Sequence, residues 1–275
     1  MKKILFPTDF SESSANAYKY ALQLANNTNA EVVALHVYEM PVIDYVNTPA
    51  YLLDVYNTVE LASFENYKSH VPELKRLAAG FGLENVPVSS VLLEGDLVQT
   101  ILEMVKEQHF DFIVMGTKGA TGMKETFFGT STASVMTDTD AIVLAVPDES
   151  TYKNIEKIVF TTRFREKDVP ALKKLLTFAD AFGAQVDCLY IKTQSSDLKE
   201  VVLADWRHVF RDYKLTFHII DSEDIEGSIL EFLDSHQIDL LALLNHKRGF
   251  FENLFKTSLT KKLAFHSKIP ILAFH

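Results

Sequence analysis

The chain is poor in cysteine, in glycine outside one segment, and in any long apolar or basic run. One cysteine, Cys188, stands among 275 residues. No disulfide can form within the chain, which suits a reducing compartment. Cys188 lies in the apolar stretch VDCLYI, and there it reads as a buried strand residue rather than a nucleophile. No stretch approaches the ~20 apolar residues of a membrane helix. The opening MKKILFPTDF carries two lysines, but its apolar run ends at Pro7 and Asp9, too short for a signal peptide. The expectation is a cytoplasmic protein with no membrane partner. Net charge is −10 and the pI is about 5.4; a generally acidic surface argues against non-specific nucleic-acid binding. The nine histidines are scattered, without an H-x3-H pair or cysteine cluster, so no metal site is expected. G-x-S-x-G and H-E-x-x-H are both missing, and no nucleophile–base constellation replaces them.

An internal repeat is present instead. Lys3, Ile4, Phe6, Thr8 and Phe10 recur 154 residues later as Lys157, Ile158, Phe160, Thr162 and Phe164. At the same offset ALHV (34–37) falls on CLYI (188–191). Further along, the offset is 128: GDLVQTILEMVKEQHFDFIVM from Gly95 meets EDIEGSILEFLDSHQIDLLAL from Glu223, and AIVLAV from Ala141 meets IPILAF from Ile269. The first copy therefore carries 26 extra residues between Val37 and Gly95. There Tyr45, Tyr51, Leu52, Val55, Tyr56, Val59 and Phe64 form an aromatic-rich, partly helical pattern. Two copies imply two similar domains, expected at 1–148 and 154–275, with the polar, proline-containing VPDESTYKN at the boundary.

Within each copy, short apolar runs alternate with helical periodicity. KILFPT precedes a helix that Ser11 or Ser13 can cap, with Ala15, Tyr18, Leu22 and Ala25 on one face. EVVALHV, VPVSSVLL, FDFIVM and AIVLAV read as the later strands, and Leu97, Ile101, Met104 and Val105 as the face of another helix. Such alternation predicts an α/β fold, a parallel sheet covered on both faces.

Four of the ten glycines, Gly116, Gly119, Gly122 and Gly129, crowd into MGTKGATGMKETFFGTSTASV after the fourth strand. If the strand order is 3-2-1-4-5, strands 1 and 4 are neighbours at a switch point, where open sheets bind ligands. Strand 1 ends at Thr8 and Asp9, strand 4 at Met115 and Gly116, and strand 2 at Val37. Bare backbone, a helix start near Gly129 and the hydroxyls of Thr130 and Ser131 suit phosphate oxygens. The loop is neither a P-loop nor a first-strand dinucleotide fingerprint. By itself it is open to two readings: a phosphate cradle, or a loop that needs glycine only to turn.

KKILFPTDFSESSANA, ALHV and GTKGATGMKETFFGT together resemble the universal stress proteins, over the whole first copy and more weakly over the second. That family's ATP-binding members carry G-x2-G-x9-G-[ST] after the fourth strand. Gly116, Gly119, Gly129 and Thr130 match every position. The resemblance implies two tandem Rossmann-like (adenine-nucleotide alpha hydrolase-like) domains, each a five-stranded parallel sheet of order 3-2-1-4-5. It implies ATP or a related adenine nucleotide, with Asp9 and the backbone near Val37 at the base and ribose. Gly116, Gly119, Gly129 and Thr130 would surround ribose and phosphates. Such phosphates usually bring Mg²⁺ or Mn²⁺, although no dedicated carboxylate cage is visible. Domains of this family pair through their fifth strands; here AIVLAV and IPILAF would pair within the chain and cover two exposed edges. A homodimer beyond that stays open.

In the second copy Leu244, Lys247, Phe250 and Thr257 stand where the four glycines are, and Arg163 replaces Asp9. The expectation is one nucleotide site per chain, in a stress-response sensor or regulator rather than a catalyst. Its rivals are an interaction or scaffold module of the same fold and, behind it, a nucleotide-using enzyme.

Overall fold

The computed structural model describes residues 2–41, 49–117, 130–244 and 269–274. Five strands and four helices alternate through the first half: β1 (Lys2–Pro7), α1 (Glu12–Thr28), β2 (Ala30–Tyr38), α2 (Pro49–Gly80), β3 (Val88–Glu94), α3 (Leu97–Gln108), β4 (Phe112–Gly116), α4 (Thr130–Asp138) and β5 (Ile142–Val146). The second half runs β6 (Lys157–Thr161), α5 (Asp168–Phe182), β7 (Gln185–Lys192), α6 (Glu200–Val209), β8 (Leu215–Asp221), α7 (Ile225–Ser235), β9 (Leu240–Leu244) and β10 (Ile271–Phe274). The length difference between the halves lies mainly in one element, because α2 has 32 residues and its counterpart α6 has 10.

The ten strands among the described residues form one sheet, ordered β3-β2-β1-β4-β5-β10-β9-β6-β7-β8. Each half has the order 3-2-1-4-5, read from opposite ends. Neighbours within a half are parallel, as in Ile4 beside Val32 and Phe112. The halves meet antiparallel, with Val143, Leu144 and Ala145 opposite Ala273, Leu272 and Ile271. The carboxyl ends of the two half-sheets therefore lie at opposite edges of the molecule.

Alternation along the strands builds two cores. Ile4, Phe6, Phe112, Val114, Leu144, Leu272, Ile158 and Phe160 point to the face covered by α1 and α5. Leu5, Ile113, Met115, Val143, Ala273 and Val159 point to the other, with Ile101, Val135 and Ile229 from α3, α4 and α7. Each core runs unbroken across the β5–β10 joint. A strand buried on both faces reads as a continuous apolar run, which is why LLALL and ILAF carry no polar residue.

The connection after β5 is fastened down. Asn16 Nδ2 on α1 donates to the carbonyls of Pro147 (3.1 Å) and Ser150 (2.6 Å). Tyr20 Oη lies 2.6 Å from Ser150 Oγ, and the Tyr20 and Tyr152 rings meet edge to face at 4.9 Å. Burial drives the Tyr20 phenol up, with the Ser150 hydrogen bond opposing it and Asp239 adding to it.

One repeated contact ties β1 to β4 and β6 to β9. Asp111 Oδ2 accepts the Lys3 amide at 2.9 Å, and Asp239 Oδ2 accepts the Glu156 and Lys157 amides, both at 2.9 Å. Asp239 is 9% exposed and also pairs with Lys153 Nζ at 2.6 Å. Asp111 is exposed. Removing a buried acceptor strands its donors, so Asp239→Ala is expected to cost about 2–4 kcal/mol and Asp111→Ala about 1 kcal/mol or less, read from urea midpoints at constant m-value.

Candidate functional site

The carboxyl end of β1 leads into a tight turn. Thr8 extends the β1–β2 ladder through its amide to the Leu35 carbonyl (2.8 Å) and is 7% exposed. Its Oγ1 accepts the Phe10 amide (3.0 Å) and shares a 2.6 Å hydrogen bond with Ser14 Oγ. Phe10 takes φ +62°, a rare conformation for a bulky residue. Its ring lies 4.8 Å from both the His36 and the His70 rings, and His36 Nδ1 is 2.8 Å from the Thr8 carbonyl. Ser11 is the N-cap of α1 and accepts the Ser14 amide at 3.2 Å. The exposed Asp9 carboxylate accepts from the Ser11 amide (3.1 Å) and hydroxyl (2.6 Å) through Oδ1. Asp9 thus stands at the mouth of the turn, oriented by the cap of α1.

Strand β4 is β1's direct neighbour. Met115 is buried and Gly116 ends the strand opposite Val146. The Thr117 amide donates to the Val146 carbonyl at 3.0 Å. Thr132, 3% exposed, donates its hydroxyl to the Gly116 carbonyl at 2.9 Å. That bond fastens the first turn of α4 to the tip of β4, with Thr130 at the helix start and Ser131 partly exposed beside it. Thr117 is 1% exposed and its Oγ1 has no hydrogen-bond partner among the described residues. Val37 lies one strand further out, half-buried against the face covered by α3 and α4 and opposite Leu93. Helix α1 leaves β1 on one face and α4 leaves β4 on the other, which is the geometry of a switch-point crevice. Gly119, Gly122, Gly129 and the side chain of Thr130 lie outside the described residues.

The second half repeats the turn with different chemistry. Thr162 Oγ1 accepts the Phe164 amide (2.9 Å), and Phe164 takes φ +54°. Where Ser14 stands in the first half, the second has Asp168, 1% exposed. Its Oδ2 accepts from the Thr162 hydroxyl (2.9 Å) and the Arg163 and Arg165 amides (both 3.1 Å). An internal carboxylate already occupies this set of donors. At the β9 tip Leu244, 8% exposed, replaces Gly116. Lys247, Phe250, Thr257 and Ser258 lie outside the described residues.

Two clefts open at the other end of the strands, about 810 and 1000 Å³ in volume. They repeat one another: Leu102, Val105 and Asp111 line the first, and Leu230, Leu233 and Asp239 the second. Both sit beside helix carboxyl ends, whose partial negative charge disfavours anions. Among the described residues no group of three or more His, Cys, Asp or Glu is arranged to hold a metal ion, and no helix is long and apolar enough to cross a membrane. Cys188 is fully buried. Burial pushes its thiol up, with Asp187 and Asp168 adding to it, so the nucleophilic thiolate is scarce.

Sequence reasoning missed the Thr132 clamp, the buried Thr117 hydroxyl and the Asp168 carboxylate. The recurring T-x-F of Thr8/Phe10 and Thr162/Phe164 was the visible trace of the shared turn.

A chain with this fold and site geometry is an α/β protein of the doubly wound, switch-point class. The family model described as the universal stress protein family matches residues 1–147, and the chain belongs to that family. A universal stress protein of Methanocaldococcus jannaschii is 31% identical over 145 residues, covering 53% of this chain and 81% of that protein. A second one from the same archaeon is 28% identical over 155 residues, covering 53% and 94%. Over the whole length, the fold is shared with a universal stress protein from Archaeoglobus fulgidus, at TM-score 0.72, 18% identity, and coverage of 99% of this chain and 95% of that one. One from Pseudomonas aeruginosa gives TM-score 0.63 at 14% identity, covering 100% and 93%.

Because Asp168 is buried and gathers three donors, Asp168→Ala is expected to destabilise the chain by about 2–4 kcal/mol. Ser14→Ala, which removes one neutral bond, should cost about 1 kcal/mol. Guanidinium unfolding of the two variants checks the ranking; equal costs would contradict it.

Proposed function

We propose that residues 1–148 form a domain that binds ATP or a related adenine nucleotide, and that residues 154–275 form a degenerate partner domain without a nucleotide site. The reading rests first on the Thr132–Gly116 bond, which sets the amino end of α4 over the tip of β4. A helix start offers free amides and a positive dipole to phosphate oxygens. Thr130 and Ser131 would add hydroxyls, and Gly116, Gly119 and Gly129 would let the phosphates approach the main chain. Thr8, Asp9, Val37 and Met115 would border the base and ribose. The buried hydroxyl of Thr117, without a partner among the described residues, is a further argument for a polar ligand there, since leaving such a group unpaired costs about 1–3 kcal/mol. A Mg²⁺ or Mn²⁺ ion would be held by the phosphates rather than by a carboxylate cage.

In the second domain the Asp168 carboxylate would repel a phosphate, and Leu244 would crowd its approach. The function is a switch: nucleotide bound beside Gly116 and Thr130 alters a surface that is read by a partner or by the protein itself.

Isothermal titration of the full chain with MgATP is expected to give one saturable site per chain. Gly116→Val should weaken it by about a hundredfold, because a branched side chain intrudes where the phosphates approach. Arg163→Asp, in the second domain, should leave affinity unchanged. A wild-type chain that shows no saturable heat, and that releases no nucleotide when denatured after purification, would rule the reading out in favour of an interaction module.

A further inference from the structure

Helix α2 is longer than the sheet it accompanies. Its 32 residues span about 48 Å, against about 23 Å for the seven residues of β3. Leu74 and Ala78 are buried, but no residue from Asp54 to Glu73 is. Tyr67 Oη still reaches Ser90 Oγ on β3 at 2.9 Å, and His70 packs on Phe10. Beside these contacts α2 carries Leu61, 61% exposed, and Phe64, 47% exposed, which border an open cleft with Tyr38, Leu92, Leu93 and Glu94. At 100° per residue Asp54, Leu61, Phe64, Lys68 and Lys75 share one exposed stripe.

Charge along the helix is segregated. From 54 to 66 there are Asp54, Glu60 and Glu65 and no lysine or arginine; from 67 to 80 there are Lys68, Lys75 and Arg76 against Glu73 alone. Lys68 pairs with Glu65 at 3.9 Å and Arg76 with Glu73 at 3.2 Å. Asp54 and Lys75 have no ion-pair partner among the described residues.

We propose that this exposed stripe of α2 is a self-association surface, on which the α2 of a second copy of this chain lies antiparallel. A two-fold axis between positions 64 and 65 sets Asp54 against Lys75 of the second copy, and Leu61 against the aliphatic stem of its Lys68. The two Phe64 rings meet near the axis. Parallel packing would lay the acidic segment on its own copy and is disfavoured by like charge. The β5 and β10 edges are already paired within the chain, so they are not available to a second copy. This surface is independent of the nucleotide reading.

Cysteine substitution in the full chain tests the register, because Cys188 is buried and does not compete. Under mild oxidation Glu65→Cys alone, and Asp54→Cys with Lys75→Cys, are expected to cross-link into dimers. Asp54→Cys alone should not, since the two copies of position 54 would lie about 30 Å apart. By light scattering, Leu61→Ser with Phe64→Ser should raise the dimer dissociation constant about tenfold or more, without lowering the Tm read at concentrations where both chains are monomeric, as both side chains are exposed. Asp54→Lys should weaken the dimer, and adding Lys75→Asp should restore it. A wild-type chain that stays monomeric into the high-micromolar range would overturn the proposal. So would dimers that ignore the Leu61/Phe64 pair, or cross-linking through Asp54→Cys alone.

Discussion

Three residue pairs, Val143–Ala273, Leu144–Leu272 and Ala145–Ile271, make this chain one molecule rather than two. A strand edge left open presents unpaired amides and carbonyls, and an apolar one invites aggregation. Strands β5 and β10 are short, buried and almost wholly aliphatic, so neither could be left open to water. Pairing them also joins both cores across the seam. Everything else, including the opposed carboxyl edges and the packing of α1 on α5, follows from that antiparallel join.

The join also isolates the site geometrically. The crevice between β1 and β4 depends on the Thr8 turn, the Ser11 cap and the Thr132 clamp, all from the first half. The second half contributes stability through the shared cores but reaches the opposite edge of the sheet. The same backbone turn serves both halves, as the positive φ of Phe10 and Phe164 shows. What differs is the group that satisfies it: a serine hydroxyl in one half, a buried carboxylate in the other.

Helix placement and the extra length of the first copy were legible because each leaves a periodic or repeated trace, whereas strand order was implied by the resemblance to the universal stress proteins. The offsets of 154 and 128 mapped β6 onto β1 and β9 onto β4 without a gap. The site was legible only where glycine marks it. Thr132 looks like any helical threonine until its hydroxyl is found on the Gly116 carbonyl, and Asp168 looks like an ordinary first-turn acid until it gathers amides from a loop. Such bonds depend on which groups lie close in space, and spacing along the chain does not record that. The aromatic pattern after Val37 was visible, but not that the first buried side chain among the described residues of α2 is Leu74.

The fastened connection after β5 has a consequence for variation. In an assembly of identical subunits, any substitution appears on both sides of the seam. Here Asn16 and Tyr20 hold a covalent bridge between two unlike halves, and each half always has its complement at a ratio of one to one. A glycine can become Leu244, or a serine Asp168, on one side alone. The chemical difference between the two halves is thus preserved by the peptide bond that joins them, at any concentration of protein.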